Sequence, residues 1–314
     1  MTLSTYDTEK RLSQLKKEVL KRGFDRHLAV LKNVSELPAE LQSPAVAPGY
    51  QTILYFPPQI QRGWNYVPKQ AMLFTPTDVT HLMASIWPEE KPQVTHLKGS
   101  DLMIVKATLI LLYGFLEIVA QGDSSPTRLG VEFNTVAWQS VSPPLRQLLK
   151  ATQTGPGAQA EKAIPSPALQ LALEALPVKF SNGAKIYGLL PGEVMEALVF
   201  QPGSSERWLL LLKRRITANT LLLLTSNYVV VIQDDLKVPH GWIITYLPRG
   251  NINGIQNQPR GLWNEISLLL KRGGQHVDYT LLLKSEAVEA WREQWVQHGG
   301  QWEDLPGEEV TQHS

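Results

Sequence analysis

The feature that most narrows the folds open to this chain of 314 residues is that it repeats itself at a fixed offset of 150. Leu73 matches Leu223, Thr75 matches Thr225, Val79 matches Val229 and Leu82 matches Ile232. Further on, Thr95-His96-Leu97 matches Thr245-Tyr246-Leu247, and Leu116, Ile118 and Ala120 match Ile266, Leu268 and Leu270. Leu129, Val131 and Phe133 match Tyr279, Leu281 and Leu283. The matched residues alternate along the chain, which is the period of one face of a β-strand. A period this long marks a duplicated domain, because solenoid repeats run to only about 20–50 residues. Pro48-Gly49 and Pro191-Gly192 open the two copies, and the second carries seven extra residues before its hairpin.

Length agrees with duplication, since chains beyond about 250–300 residues usually split into domains of about 150 residues. With 43% hydrophobic residues there is ample material for two cores, which excludes wholesale disorder. The net charge of +1 excludes a strongly basic nucleic-acid coat. Charge is uneven at the ends: residues 1–34 hold eight basic against four acidic side chains, and residues 301–314 hold four acidic and none basic. Both ends read as solvated flanks. The chain has no cysteine, so disulfides, thiolate metal sites and cysteine nucleophiles are all excluded, and a cytoplasmic setting is expected. No apolar run of signal-peptide length opens the sequence, so secretion is not expected. Residues 102–120 are apolar enough to raise the question of a membrane span, but Lys106 and Glu117 lie inside the run. Each charge near a helix centre costs about 3 kcal/mol on insertion. The repeat favours two buried strands there.

Taken in order, residues 7–22 carry Leu12, Leu15, Val19 and Leu20 at helical spacing behind Asp7, and Phe24, Leu28 and Leu31 suggest a second short helix. Residues 1–47 are therefore expected to form a helical extension. Short apolar segments follow at 52–56, 63–67, 71–74, 79–84, 94–97, 110–112, 116–120 and 129–133, then a helix after Pro143-Pro144. Many short strands at this spacing indicate antiparallel sheets and not a Rossmann fold. Residues 152–167 are rich in Gly, Pro, Ala and Gln and read as a linker. A helix is expected near 168–176, strands from about 193, a hairpin over 221–232, and strands at 242–247, 265–270 and 278–283. A closing helix then places Val288, Trp291 and Trp295 on one face. The expected division is 48–151 and 168–300 for the two domains, with 301–314 an acidic tail.

The second copy resembles the bacterial pleckstrin-homology-like domains. The residues that carry the likeness are Pro191-Gly192-Glu193 before the first strand, Leu222-Leu223-Leu224-Thr225 running into residues 228–232, Ile252 and Ile255 after the next strand, and a closing helix with Trp291 and Trp295. The likeness covers about residues 190–298 and reaches 48–150 mainly through the repeat, where Pro76 and the Pro-rich stretch 57–68 depart from the pattern. It implies a mainly β, α+β fold: two tandem partly open β-barrels, each closed by a C-terminal helix. Such folds bind proteins, peptides or lipids, and fold does not select among these.

A search for chemistry finds little at motif spacing. The seven histidines form no H-x₃-H or H-E-x-x-H pattern, Gly155-Pro156-Gly157 lacks the Lys-Ser/Thr of a phosphate loop, and Asp234-Asp235 reads as a turn. No catalytic residue, metal or cofactor is expected. The densest basic cluster is Lys213-Arg214-Arg215, placed in a connecting turn, with Arg207 nearby. A solvated turn that keeps the flanking leucines from aggregating is the favoured reading. In the eukaryotic pleckstrin-homology relatives, basic residues in an early loop hold phosphoinositide phosphates, which is the alternative. Trp242 and Trp263 fall near strand ends, where packing is favoured and partner anchoring is the second reading. Nucleic acid is not expected, because no aromatic residues interleave with Lys or Arg. The function expected is non-enzymatic: binding or scaffolding of protein partners or self-association, with anionic lipid headgroups as the alternative.

Overall fold

The computed structural model describes residues 5–21, 28–46, 49–60, 65–152, 166–208, 212–238 and 240–306; the side chains of 5, 6, 206–208 and 212–214 lie outside that description. The chain is mainly β, with five α-helices among the described residues and only open sheets. Contacts divide it into two compact units. Unit 1 is Met1–Ser100, Leu112–Phe115 and Leu129–Thr152, and unit 2 is Asp101–Leu111, Leu116–Arg128 and Gln153–Ser314. The repeat boundary and the contact boundary therefore follow different lines.

Ahead of the first repeat lie α1 (Thr5–Lys21) and β1 (Ala29–Leu31). The second short helix expected from Leu28 and Leu31 is replaced by this strand; Phe24 lies outside the described residues. The cause is tertiary. β1 lies antiparallel on β2 (Thr52–Phe56), with Ala29 opposite Tyr55 and Leu31 opposite Ile53, so ladder hydrogen bonds take the place of helical ones. A small hairpin, β3 (Gln59–Ile60) and β4 (Tyr66–Val67), leads to β5 (Gln70–Phe74), β6 (Asp78–Met83) and β7 (Gln93–Lys98). The sheet order is β1-β2-β5-β6-β7. Its core is Leu37, Leu41, Ile53, Ala71, Leu73, Leu82 and Ala84, all buried.

Three strands and a helix complete the first repeat: β8 (Leu102–Ile110), β9 (Tyr113–Ala120), β10 (Thr127–Phe133) and α2 (Trp138–Ala151). Residues 102–120 are two strands, as expected, and no helix among the described residues is long and apolar enough to cross a membrane. Of the strand expected at 110–112, Ile110 ends β8 and residues 111–112 form the turn into β9, where Leu111 takes a positive φ of 50°. Helix α2 starts at Trp138, five residues before Pro143, so both prolines lie inside it and not in its first turn.

Ahead of the second repeat, α3 (Pro167–Glu174) starts at the Ser166 cap, whose Oγ accepts from Leu169 N at 3.3 Å, with proline in the first helical position. The expected linker falls outside the described residues except at its ends. Helix α4 (Val178–Gly183) continues into π-helical turns over Ala184–Gly188. Then come β11 (Met195–Gln201), a hairpin of β12 (Ser204–Trp208) and β13 (Leu212–Thr217), β14 (Thr220–Thr225), β15 (Tyr228–Gln233) and β16 (Trp242–Pro248). They are followed by β17 (Ile252–Arg260), β18 (Trp263–Arg272), β19 (Gln275–Leu283), α5 (Ser285–Gln297) and β20 (Trp302–Asp304). In the large sheet of unit 2, residues 116–120 of β9 are followed by β8, β16, β15, β14 and β11; its second sheet runs β19-β18-β17-β20. The acidic tail expected from 301 onward is in part a strand.

The offset of 150 reappears in the element bounds. β5 and β14 both begin at that offset, as do β6 and β15, β8 and β17, and β9 and β18. The likeness extends to single hydrogen bonds. Asp78 N donates to Thr75 Oγ1 at 2.9 Å, and Tyr228 N donates to Thr225 Oγ1 at 3.0 Å. Gln59 Nε2 donates to Glu132 O at 3.0 Å, and Gln201 Nε2 to Leu282 O at 3.4 Å, tying the start of each repeat to its last strand. Gly49 and Gly192, which follow the two opening prolines, have φ of 113° and 90°, a region that disfavours any Cβ. The next residue in the second copy, Glu193, accepts from Ser226 Oγ, Asn227 N and Asn227 Nδ2 and so pins the turn between β14 and β15.

The alternating residues that reveal the repeat are the buried ones. Ile266, Leu268 and Leu270 join Ala197, Leu222, Leu224, Val229 and Val231 in the core of unit 2, closed by Val288, Trp291 and Trp295 of α5. The two indoles stack at 6.3 Å, and Trp295 Nε1 donates to Gln301 O at 2.9 Å, so the amphipathic face expected of the closing helix is its core face.

Candidate functional site

The Lys213-Arg214-Arg215 cluster lies within β13 and not in a turn. β13 pairs antiparallel with β12, placing Lys213 opposite Arg207, Arg214 opposite Glu206 and Arg215 opposite Ser205. The hairpin is built this way because Gly203 and Asn219 close it: Asn219 Oδ1 accepts from Gly203 N at 2.7 Å. The side chains of Arg207, Lys213 and Arg214 lie outside the described residues. Arg215 is directed inward: its Nη2 meets Asp234 Oδ2 at 3.2 Å and its Nη1 donates to Asp235 O at 3.4 Å.

Asp234 is the hub of that contact. Its carboxylate is 3% exposed and receives Lys179 Nζ, Arg215 and Asn219 Nδ2 together. A buried carboxylate is tolerated only when paired and hydrogen-bonded, and two cations with one amide meet that need here. Asp235 does form the turn expected of the pair, accepting from Lys237 N and Val238 N, both at 2.8 Å.

Trp242 belongs to the same knot. Lys179 Nζ sits 4.5 Å from its ring centroid and also donates to Gly241 O at 3.0 Å. Phe180 meets the indole edge-on at 5.8 Å and Tyr187 at 5.9 Å. Gly183 lies directly beneath, where a Cβ would come within 2.7 Å of the ring. Trp242 thus clamps α4 and the following turns onto the sheet, the packing role favoured from sequence. Trp263 is half-buried at the start of β18, with Lys284 Nζ 5.8 Å from its ring centroid. Arg260 and Arg272, the other basic residues near this strand, are engaged by Glu265 at 2.9 Å and by Asn251 Oδ1 at 2.8 Å. Among the described side chains, then, the sequence candidates do not converge on one exposed basic face.

The sheet edges are less alike than the repeat would suggest. In unit 2, β16 is paired on both sides: with β15, and with β8, where Trp242 is opposite Leu109, Thr245 opposite Lys106 and Tyr246 opposite Val105. Its counterpart at the offset of 150 is β7, which is paired with β6 alone among the described residues. Gln93, Val94, His96 and Lys98 of β7 are exposed, and only Leu97 turns fully inward. Behind the strand, Tyr50 OH, Thr80 Oγ1 and His96 Nδ1 form a chain at 3.1 and 3.0 Å that fixes His96 against β6. The second such difference is on β17, whose outer edge carries β20 in parallel: Ile255 opposite Trp302, Gln256 opposite Glu303 and Asn257 opposite Asp304. These edge strands were not singled out by sequence. Reading residues 93–98 against 243–248 finds equivalent strands, but no residue type announces that one is paired twice and the other once.

No family model matches the chain, and no curated protein matches it. Among solved structures the chain is similar to the hSac2 domain from human phosphoinositide phosphatase Sac2 at 14% sequence identity, covering 48% of this chain and 96% of that one with a TM-score of 0.29. A likeness of that degree bears on neither activity nor ligand.

Proposed function

We propose that this is a non-enzymatic, cytoplasmic binding protein of two tandem pleckstrin-homology-like repeats that holds an extended segment of a protein partner, or of a further copy, by strand addition at β7. Four strands, three strands and a closing helix recur in the same order in both repeats, which supports the tandem reading. The observation that carries the functional part is the unequal pairing of β7 and β16. An edge strand presents a row of unpaired backbone donors and acceptors, and a protein partner fits it by main-chain hydrogen bonds. The antiparallel pairings of β1 on β2 and of β8 on β16 within the chain support this reading, as models for the ladder a partner strand would form. Pro92 precedes β7 and cannot donate to a ladder, so it bounds the open edge at the N-terminal end of this six-residue strand. Lipid recognition is less well supported, because Arg215 is committed to Asp234.

A peptide of residues 103–110 with lysines added at both ends, copying the strand that β16 already holds, is the direct probe. Added to the full chain, it should slow amide exchange in β7, and raised salt should leave its binding largely intact. Unchanged β7 exchange at saturating peptide would refute strand addition. Salt-sensitive co-sedimentation with anionic liposomes, abolished by neutralising Lys213 and Arg214, would support the lipid reading in its place.

A further inference from the structure

We infer, building on strand addition at β7, that the protein joins head to tail with a second copy of itself, the β7 edge of one copy lying antiparallel on the β17 edge of the next, and that β20 occupies that seat until it is displaced. The pairing already exists once within unit 2. β16 lies on β8 with Tyr246 opposite Val105 and Ile243 opposite Thr108. Shifted by the repeat, β16 becomes β7 and β8 becomes β17. The same register then sets His96 opposite Ile255, Thr95 opposite Gln256, Val94 opposite Asn257 and Gln93 opposite Gln258. Neither run of four holds an Asp, Glu, Lys or Arg, so no like charges are brought face to face. Two of the four pairs set polar side chains opposite one another: Gln93 with Gln258, and Thr95 with Gln256.

On β17 the seat is taken at the very residues the register calls for. β20 covers Ile255, Gln256 and Asn257, the counterparts of Val105, Lys106 and Ala107, on which β16 lies. It is a poor occupant in four respects. It is only three residues long and pairs in parallel, the less stable arrangement per residue. Glu303 and Asp304 are exposed. It also leaves Asn257 Oδ1 buried without a hydrogen-bond partner, although Asn257 Nδ2 donates to Asp304 Oδ1 at 2.9 Å. An orphaned buried acceptor keeps the desolvation penalty of burial uncompensated, which weakens the hold of this short strand. An incoming β7 offers a longer antiparallel ladder. Because the two surfaces differ, the contact is heterologous and propagates as a ring or an open chain.

The test uses the full chain. Leu305→Pro removes the bond from Leu305 N to Asn257 O, 2.8 Å, and Asp304→Lys independently removes the Asn257 and Arg292 contacts. Both variants, checked for folding by circular dichroism, should at least double in weight-average mass with rising concentration in sedimentation velocity, under conditions where the parent protein does not. Adding Val94→Lys on β7 should reverse this. The chain has no cysteine of its own. Mixing a Thr95→Cys copy with a Gln256→Cys copy in the Leu305→Pro background should therefore give a mixed disulfide on oxidation, and neither copy alone should. Both releasing variants folding yet keeping the parent mass would overturn the inference. So would cross-linking of Thr95→Cys to itself, which would mean a symmetric β7 pair. If the peptide of residues 103–110 still protects β7, strand addition stands and only the self-assembly falls; if it does not, both fall.

Discussion

Replacing His81 by valine, the residue at the matching position 231, will flatten the acid limb of unit 1's stability. His81 lies in β6, 7% exposed, with Nε2 3.2 Å from Gln70 Oε1, and burial pushes its imidazole down from 6.5 to about 4. The pKa is depressed in the folded state, so below pH 6.5 the unfolded chain takes up a proton that the folded chain refuses. The contribution to stability is complete above pH 6.5, declines as pH falls, and is gone below about pH 4. At about 1.4 kcal/mol per pH unit the interval amounts to roughly 3 kcal/mol. The variant has a separate cost at neutral pH, because Gln70 Oε1 loses its partner, about 1–3 kcal/mol. Absolute stability is therefore not decisive; the pH dependence of the difference is. Carboxylates titrating over the same range are common to both proteins and cancel. Urea titrations read by amide exchange in β5 and β6 should show the parent ahead at neutral pH and the variant level or ahead near pH 4. A difference that stays constant to within about 0.5 kcal/mol across that interval would show that His81 is hydrated or protonated in the folded protein, contrary to its burial.

Three further outcomes follow from the packing of unit 2. Trp295→Ala should destabilise it by about 3–5 kcal/mol in denaturant, since the ring is 3% exposed and stacked on Trp291; a loss under about 1 kcal/mol would mean the site collapses around the cavity. Asp234→Asn should cost about 3 kcal/mol by leaving Lys179 and Arg215 facing each other, and should speed exchange in α4; an unchanged titration would mean both cations reach solvent without cost. Hydrogen bonds from Asn257 and then Trp302 hold the Asp304 carboxyl below its ordinary 3.8, with Arg292 adding to the effect. That attachment is present above pH 3.8 and is lost as pH falls through the lowered value, so exchange at residues 302–305 should rise there while α5 stays protected.

Sequence alone determined the 150-residue offset in the apolar pattern, most of the strands that follow it and the face each of those buries. Alternation is a local property: Ile266, Leu268 and Leu270 point one way because a strand has two faces, whatever lies beside it. The same local logic read residues 102–120 as two strands and gave α5 its core face. Only the tertiary structure decided which segments pair at the sheet edges. Leu28 and Leu31 fit a helix as well as a strand until β2 offers a ladder, and residues 302–304 read as a solvated tail until β17 does. Arg215 looked like part of a surface charge cluster, and what turned it inward is Asp234, nineteen residues away and buried. Edge pairing is made by backbone groups that every residue but proline carries, so side-chain type leaves almost no record of whether a strand is met on one side or on both.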